Sequence, residues 1–224
     1  MSCEHCCNSS CDDDIITFDL DQLSSALSKN LQSDMKEFGD LVNLSGALNR
    51  EVYLDSIEYG IGSSIDAYIR FWNKWDRDHQ IPVSDRTPIK IYIDSYGGSL
   101  NDTFTIIDSI KLSETPVWTI CNGVAYSGGF FVLINGHKRL AYPHSSFLFH
   151  EGATSNEGTA GQFENYSAFY KKQLKQLQDI VVQNTGITEE EYKEIRKDDI
   201  WYDAKEALDK GIIDGILGVN NNEI

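Results

Sequence analysis

The chain has 224 residues, 41% hydrophobic and 24% charged, enough for one globular domain with its own core plus an appendage. Its 35 acidic and 19 basic side chains give a formal charge of −16 at pH 7, which argues against nucleic-acid and membrane-surface partners by charge repulsion. The apolar run at residues 130–134 is far shorter than the ~18 residues of a membrane helix. The first fourteen residues carry Glu4, Asp12, Asp13 and Asp14 and no lysine or arginine, the reverse of a signal peptide, so a cytoplasmic protein is expected.

Residues 1–14 read as a flexible acidic tail holding Cys3, Cys6, Cys7 and Cys11, while Cys121 stands alone in an apolar run. Clustering of this kind does not suit a disulfide framework. Cys3, Cys6, Cys11 and His5 are zinc-type donors, but they form one dense cluster where a structural zinc site takes two ligand pairs across a folded spacer, so no metal is assigned. Leu20, Leu23, Leu27 and Leu31 recur at helical spacing and predict a helix over 19–38 capped by Asp19. Gly39 and the stretch 43–49 break the pattern. The chain divides into an N-terminal extension, 1–49, and a main domain, 50–224.

From Arg50 short β-rich runs alternate with helical ones. Val52-Tyr53-Leu54 is a strand, and Ile65, Tyr68, Ile69 and Trp72 stripe a helix that continues toward Trp75. After a loop with Pro82 and Pro88 come a buried strand at 89–93 and a helix marked by Thr103, Ile106, Ile107 and Ile110. A strand at 117–121, a helix at 127–134 and strands at 139–142 and 146–150 follow. A long helix over 162–184, closed by Gly186, carries the apolar stripe Phe163, Tyr166, Phe169, Tyr170, Leu174, Leu177 and Val181. Thr188 with Glu191 forms a capping box for a shorter helix; a helix over 204–210 and a last strand over 212–217 follow. The alternation predicts an α/β fold with a largely parallel sheet.

The stretch Cys121-Asn122-Gly123-Val124-Ala125-Tyr126-Ser127-Gly128-Gly129 carries the chemistry. A β-run ends, small residues crowd a turn with a serine at its apex, and an apolar helix starts at once. That design exposes a hydroxyl beside the free N–H groups of a helix start, one residue away from a G-x-S-x-G elbow. The competing reading is a glycine-rich turn that the serine merely caps. A nucleophilic serine needs a base. Of the five histidines, His5 lies in the tail, His79 in a polar loop, and His137 and His144 in turns. His150 alone ends an apolar strand, Phe147-Leu148-Phe149-His150, where an α/β sheet presents functional side chains. The residues by themselves do not select the third member, a carboxylate, among the 35 available.

In motif order, residues 50–217 resemble the Clp protease proteolytic subunit family. Ile91-Tyr92-Ile93-Asp94-Ser95-Tyr96-Gly97-Gly98 is similar to that family's strand and Ser-Pro-Gly-Gly turn. Residues 119–129 are similar to its nucleophile segment, Phe147-Leu148-Phe149-His150 to its histidine strand, and Asp199 through Asp214 to its acidic segment and final Glu-Ala…Gly-x-x-Asp signature. The resemblance implies a ClpP/crotonase-like fold of stacked βαβ units with a protruding handle helix, the one over 162–184. It implies Ser127 as nucleophile, His150 as base and Asp199 as orienting acid, with Asp198 next in register, and the N–H groups of Gly98 and Gly128 as the oxyanion hole.

The same resemblance implies serine endopeptidase activity on unfolded polypeptides through an acyl-enzyme, without cofactor or metal. It further implies a homo-oligomeric double ring, an AAA+ unfoldase partner, and extended substrate bound beside a strand and loop around Gly158 and Gly161. The alternatives are a catalytically idle assembly subunit and a crotonase-like acyl-thioester enzyme. The chain departs from the family at Tyr96 in place of proline, at Tyr126, Gly128 and Gly129 around the serine, at Glu151-Gly152 in place of Gln-Pro, in the loop 79–88, and in the long N-terminal extension.

Overall fold

Ile89, Ile91, Ile93 and Ser95 are buried, while the residues between them are less so, a period of two that gives strand β2 (Ile89–Ser95) one face in the core. The computed structural model describes residues 45–152, 154, 155 and 157–219, all within the unit Asn43–Ile224. The expected helix over 19–38 and the cysteine-rich tail lie outside these residues.

Strand β1 (Glu51–Leu54) pairs in parallel with β2, and β2 with β3 (Val117–Tyr126). The sheet continues through β4 (Lys138–Ala141) to β7 (Gly215–Ile216), giving the order β1-β2-β3-β4-β7. Strand β5 (Ser146–Phe149) joins the far end of β3 in parallel, and β6 (Ile200–Asp203) pairs antiparallel with β5. The helices are α1 (Ile61–Asp78), α2 (Leu100–Lys111), α3 (Gly128–Leu133), α4 (Ala160–Asn184), α5 (Glu189–Ile195) and α6 (Ala204–Asp209). Parallel neighbours joined by helical crossovers confirm the α/β class and the fold expected of the family.

The main core lies between the sheet and its helices. Ile91, Ile93, Ile106, Phe130 and Phe147 have no exposed surface there, and each side chain of this kind contributes about 1.5–3 kcal/mol. On the other face, Ile120, Leu140 and Leu217 form a small second cluster with Tyr92 and Trp118. A buried ion pair closes one edge of the domain. Arg50 donates to both carboxylate oxygens of Asp76, at 2.8 and 2.5 Å, and to Thr87 O at 2.9 Å, while its guanidinium lies 4.4 Å from the Trp72 ring centre.

Strand β3 is longer than the expected 117–121. Ile93 pairs with Cys121, but Ser95 pairs with Ala125, so β3 spends four steps where β2 spends two. Asn122 and Gly123 read as a turn in the sequence; folded, they are this bulge. Asp94 accepts from Val124 N at 3.0 Å, and a Cβ on Gly123 would stand 2.2 Å from the same carboxylate oxygen, so any larger residue there would displace that carboxylate. The bulge bends β3 away from β4, its partner over 118–121, and onto β5, its partner over 124–126.

Four other expectations need correction. Helix α4 starts at Ala160, because Thr159 and Gln162 form a reciprocal capping box, so Gly161 lies inside the helix and not in a loop. It ends on Thr185 in extended geometry; Gly186 instead packs against α6, donating to Lys210 O at 2.7 Å where a Cβ would clash. Thr188 caps α5 by accepting from Glu191 N, but the Glu191 carboxylate pairs with Lys210 at 2.5 Å and does not complete the box. The last strand shrinks to two residues, because Ile212 and Ile213 follow α6 as core side chains on a turn.

Candidate active site

Strand β3 ends at Tyr126 and α3 begins at Gly128, so Ser127 must reverse the chain in one residue. It does so at φ 52°, ψ −118°, a left-handed backbone value that costs a non-glycine residue of order 1–3 kcal/mol. Its N–H donates to Leu148 O at 3.0 Å and its carbonyl accepts from Phe131 N at 3.3 Å, so strand β5 and helix α3 hold the corner in place. The side chain caps nothing. That answers the competing reading of a capping serine: the strain is retained while the hydroxyl is left half-buried and, among the described residues, without a hydrogen-bond partner.

The turn after β2 presses against this corner. A Cβ on Gly97 would stand 2.8 Å from Ser127 Cβ, Tyr126 O and Gly128 N, and Gly97 has φ 94°. Ile57 bridges to the same turn: Ile57 N donates to Gly97 O and Ser99 N to Ile57 O, which leaves the Gly98 N–H outside the bridge. Gly98 has φ 146°, and a Cβ there would stand 2.3 Å from Ile57 O. The Gly128 N–H lies ahead of the first intrahelical bond of α3. The Gly98 nitrogen is 3.5 Å from the Cβ position of Gly128, so the two glycines lie side by side next to Ser127, and among the described residues neither N–H donates a hydrogen bond. Gly128 is also forced sterically, since a Cβ would meet Thr103 Oγ1 at 2.6 Å.

His150 follows directly on β5. The antiparallel register of β5 with β6 sets Phe149 opposite Ile200, so one step further sets His150 opposite Asp199. His150 Nδ1 lies 3.6 Å from Asp199 Oδ1, which places Asp199 and not Asp198 behind the imidazole. Ser127 and His150 line one cleft of about 370 Å³, bounded by Gly98, Gly128 and the α4 residues Tyr166 and Tyr170. Among the described residues no hydrogen bond joins Ser127 to His150, and the His150–Asp199 separation is longer than a hydrogen bond. Side chains of this kind tighten on substrate binding in many enzymes.

The other described histidines are otherwise engaged or remote. His79 stacks on Trp75 at 3.9 Å, His137 Nδ1 accepts from Val117 N at 2.9 Å, and His144 is exposed in a turn. Burial pushes the Cys121 thiol up to about 11, so it does not compete as a nucleophile near neutral pH. Among the described residues no group of histidine, cysteine and acidic side chains is arranged to hold a metal ion, and no helix is long and apolar enough to cross a membrane.

With this geometry in view, the comparisons with known proteins are specific. The Clp protease family model matches residues 82–220. This chain belongs to the Clp protease family. The ATP-dependent Clp protease proteolytic subunit 1 of Shouchella clausii is 32% identical over 167 residues, 74% of this chain and 82% of the relative. Proteolytic subunit 2 of Treponema pallidum is 30% identical over 137 residues, 60% of this chain and 69% of the relative. Subunit 2 of Treponema denticola is 31% identical over 136 residues.

Around this Clp protease cleft, the sequence reading missed one brace. Glu151, next to His150, takes both Arg196 Nη1 contacts at 3.1 Å and the Tyr192 hydroxyl at 3.2 Å, while Tyr170 OH donates to Glu151 O at 3.4 Å. Burial, with the adjacent Glu151 charge, raises the Tyr192 hydroxyl well above its ordinary value and keeps it a donor. The ion pair ties the loop after His150 to the segment that leads into Asp199. Glu151 stood out in the sequence only as a departure from the family's Gln-Pro pair; its partner forty-five residues away left no local signal.

Proposed function

We propose that this chain is the proteolytic subunit of a compartmentalised serine peptidase that cleaves unfolded polypeptides. In this reading residues 50–224 are the peptidase domain and 1–49 an extension. One observation carries it: an uncapped serine on a strained elbow shares a cleft with a histidine that an aspartate backs at 3.6 Å, beside two free glycine N–H groups. Ser127 Oγ attacks the scissile carbonyl carbon while His150 Nε2 takes its proton. The developing oxyanion accepts hydrogen bonds from Gly98 and Gly128, and Asp199 steadies the imidazolium. His150 then returns the proton to the leaving amine as the C–N bond breaks. Water, deprotonated by the same imidazole, hydrolyses the acyl-enzyme and regenerates Ser127.

The assembly is a closed homo-oligomeric double ring working in the cytoplasm, with an ATP-dependent AAA+ unfoldase feeding it. Helix α4 supports the ring. Of its apolar stripe only Leu177 and Val181 are buried in the isolated chain, with Ile180 buried beside them, while Phe163 and Phe169 are each 56% exposed, a surface suited to burial between copies. The names of the Shouchella and Treponema relatives support the ATPase partner.

The test is labelling by a fluorophosphonate probe, with peptide hydrolysis followed in parallel. Labelling should map to Ser127, and Ser127→Ala should abolish both labelling and hydrolysis while leaving the sedimentation of the oligomer unchanged. Wild-type hydrolysis by Ser127→Ala would refute the nucleophile. An intact ring that never labels would point to an idle subunit or a crotonase-like enzyme. Sedimentation as a monomer under native conditions would refute the assembly.

A further inference from the structure

Tyr126 is the side chain that the proposed reaction does not use yet the site is built around. It is the last residue of β3, directly before Ser127. Its ring meets Tyr96 edge to face, with centres 5.4 Å apart and planes at 85°, and meets Trp201 in the same way at 5.0 Å and 83°. Its hydroxyl is 2.7 Å from Ser146 Oγ. Each contact reaches a different part of the site. Tyr96 leads into the Gly97-Gly98 turn, Ser146 starts the strand that leads into His150, and Trp201 lies two residues beyond Asp199. The pairing Tyr126–Leu148–Trp201 across β3, β5 and β6 puts these side chains on the face opposite the core residues Phe147 and Tyr202.

From this arrangement we infer that Tyr126 is a positioning residue, which holds the oxyanion turn and the strands of His150 and Asp199 in register around Ser127. The inference rests on the peptidase reading above. Its physical reason is how the Tyr96 side chain is held. Backbone bonds to Ile57 and a bond to Ser95 Oγ fix Gly97 and Ser99, but Tyr96 is 77% exposed and its ring rests edge to face on Tyr126. That ring contact adds a restraint from the neighbouring strand to those backbone bonds. Edge-to-face pairs favour fixed angles, so they restrict orientation as well as distance. The Ser146 bond fixes the tip of the Tyr126 side chain, and the two edge-to-face contacts restrict its rotation about the ring axis. Displacements of about 1 Å at such a site cost on the order of a hundredfold in rate.

The variants Tyr126→Ala, Tyr126→Phe and Trp201→Ala, compared with Ser127→Ala, test this in the full chain. Tyr126→Ala should lower kcat for a small peptide substrate and the rate of fluorophosphonate labelling about ten- to a hundredfold, with KM nearly unchanged. Tyr126→Phe keeps both ring contacts and should recover most of the loss. Trp201 is 55% exposed, so Trp201→Ala leaves the core intact and should show the same kcat signature at smaller size. Thermal midpoint and sedimentation are read for every variant. Unchanged kcat in both alanine variants would overturn the inference, as would a change confined to KM, which marks substrate contact. Loss of activity that tracks loss of folding or assembly in all three variants would also overturn it. If Ser127→Ala stays active, the peptidase reading itself fails; if Ser127→Ala is dead and Tyr126→Ala is normal, only the positioning role falls.

Discussion

Two adjacent aspartates separate the roles of charge and of register at this site. Asp199 Oδ1 faces His150 Nδ1 at 3.6 Å, whereas Asp198, one step along the chain, donates its N–H to Ile195 O in a turn and leads away from the imidazole. At that separation a unit charge stabilises an imidazolium by ~1.2 kcal/mol in bulk water and by ~4.6 kcal/mol at an effective dielectric constant of 20. The Asp199 side chain is 64% exposed and that of His150 30%, so solvent screening favours the lower part of the range, about 1–3 kcal/mol. At 1.36 kcal/mol per decade this is roughly a ten- to hundredfold fall in kcat for Asp199→Asn. Asp198→Asn should stay within about twofold of wild type, since it lies outside that electrostatic contact. Steady-state hydrolysis of a small fluorogenic peptide across 0.05–0.5 M salt, roughly the span over which screening strengthens, is the assay, and the Asp199 effect should shrink as salt rises. An Asp198→Asn variant as impaired as Asp199→Asn would refute the argument from register.

Gly98→Ala puts a methyl group 2.3 Å from the Ile57 carbonyl and forces the turn to move, so peptide hydrolysis should fall about 10²–10³-fold through loss of one oxyanion donor, a figure that active-site titration and kcat together check. Asp76→Ala leaves the buried Arg50 charge without its partner and should cost about 3–5 kcal/mol, seen as a fall of roughly 10 °C in thermal midpoint. Burial alone would raise Asp76, but hydrogen bonds from Arg50 and Thr115 outweigh it and hold the carboxyl below its ordinary value. The stabilisation from that depressed value is complete above the unfolded-state carboxylate range and is lost as pH falls through the folded value. Urea unfolding at a series of pH values below 5 should therefore show a shallower acid loss in Asp76→Asn than in wild type.

The alternating helices and strands and the α/β class were legible from residue order, as was the choice of Ser127 and His150 as candidates, because each depends on local chemistry. A serine among small residues between a β-run and an apolar helix specifies an elbow, and alternating burial along residues 89–95 specifies a strand. Family resemblance added Asp199, Gly98 and Gly128. What pattern could not supply was pairing. The bulge at Asn122 and Gly123 looked like a strand end, because its cause is the Asp94 carboxylate on the neighbouring strand. Glu191 matched a capping box, yet Lys210, nineteen residues on, took its carboxylate.

By itself the sequence determined which segments fold into which elements and which hydroxyl stands at a strained corner, since backbone preference and hydrophobic period act over a few residues. Only the tertiary structure decided that β3 leaves β4 for β5, that Asp199 rather than Asp198 faces His150, and that Tyr126 touches two other strands and the turn after β2. Those facts depend on strand register and on contacts between residues far apart in the chain, and a one-residue slip in register reverses which side chain faces the site.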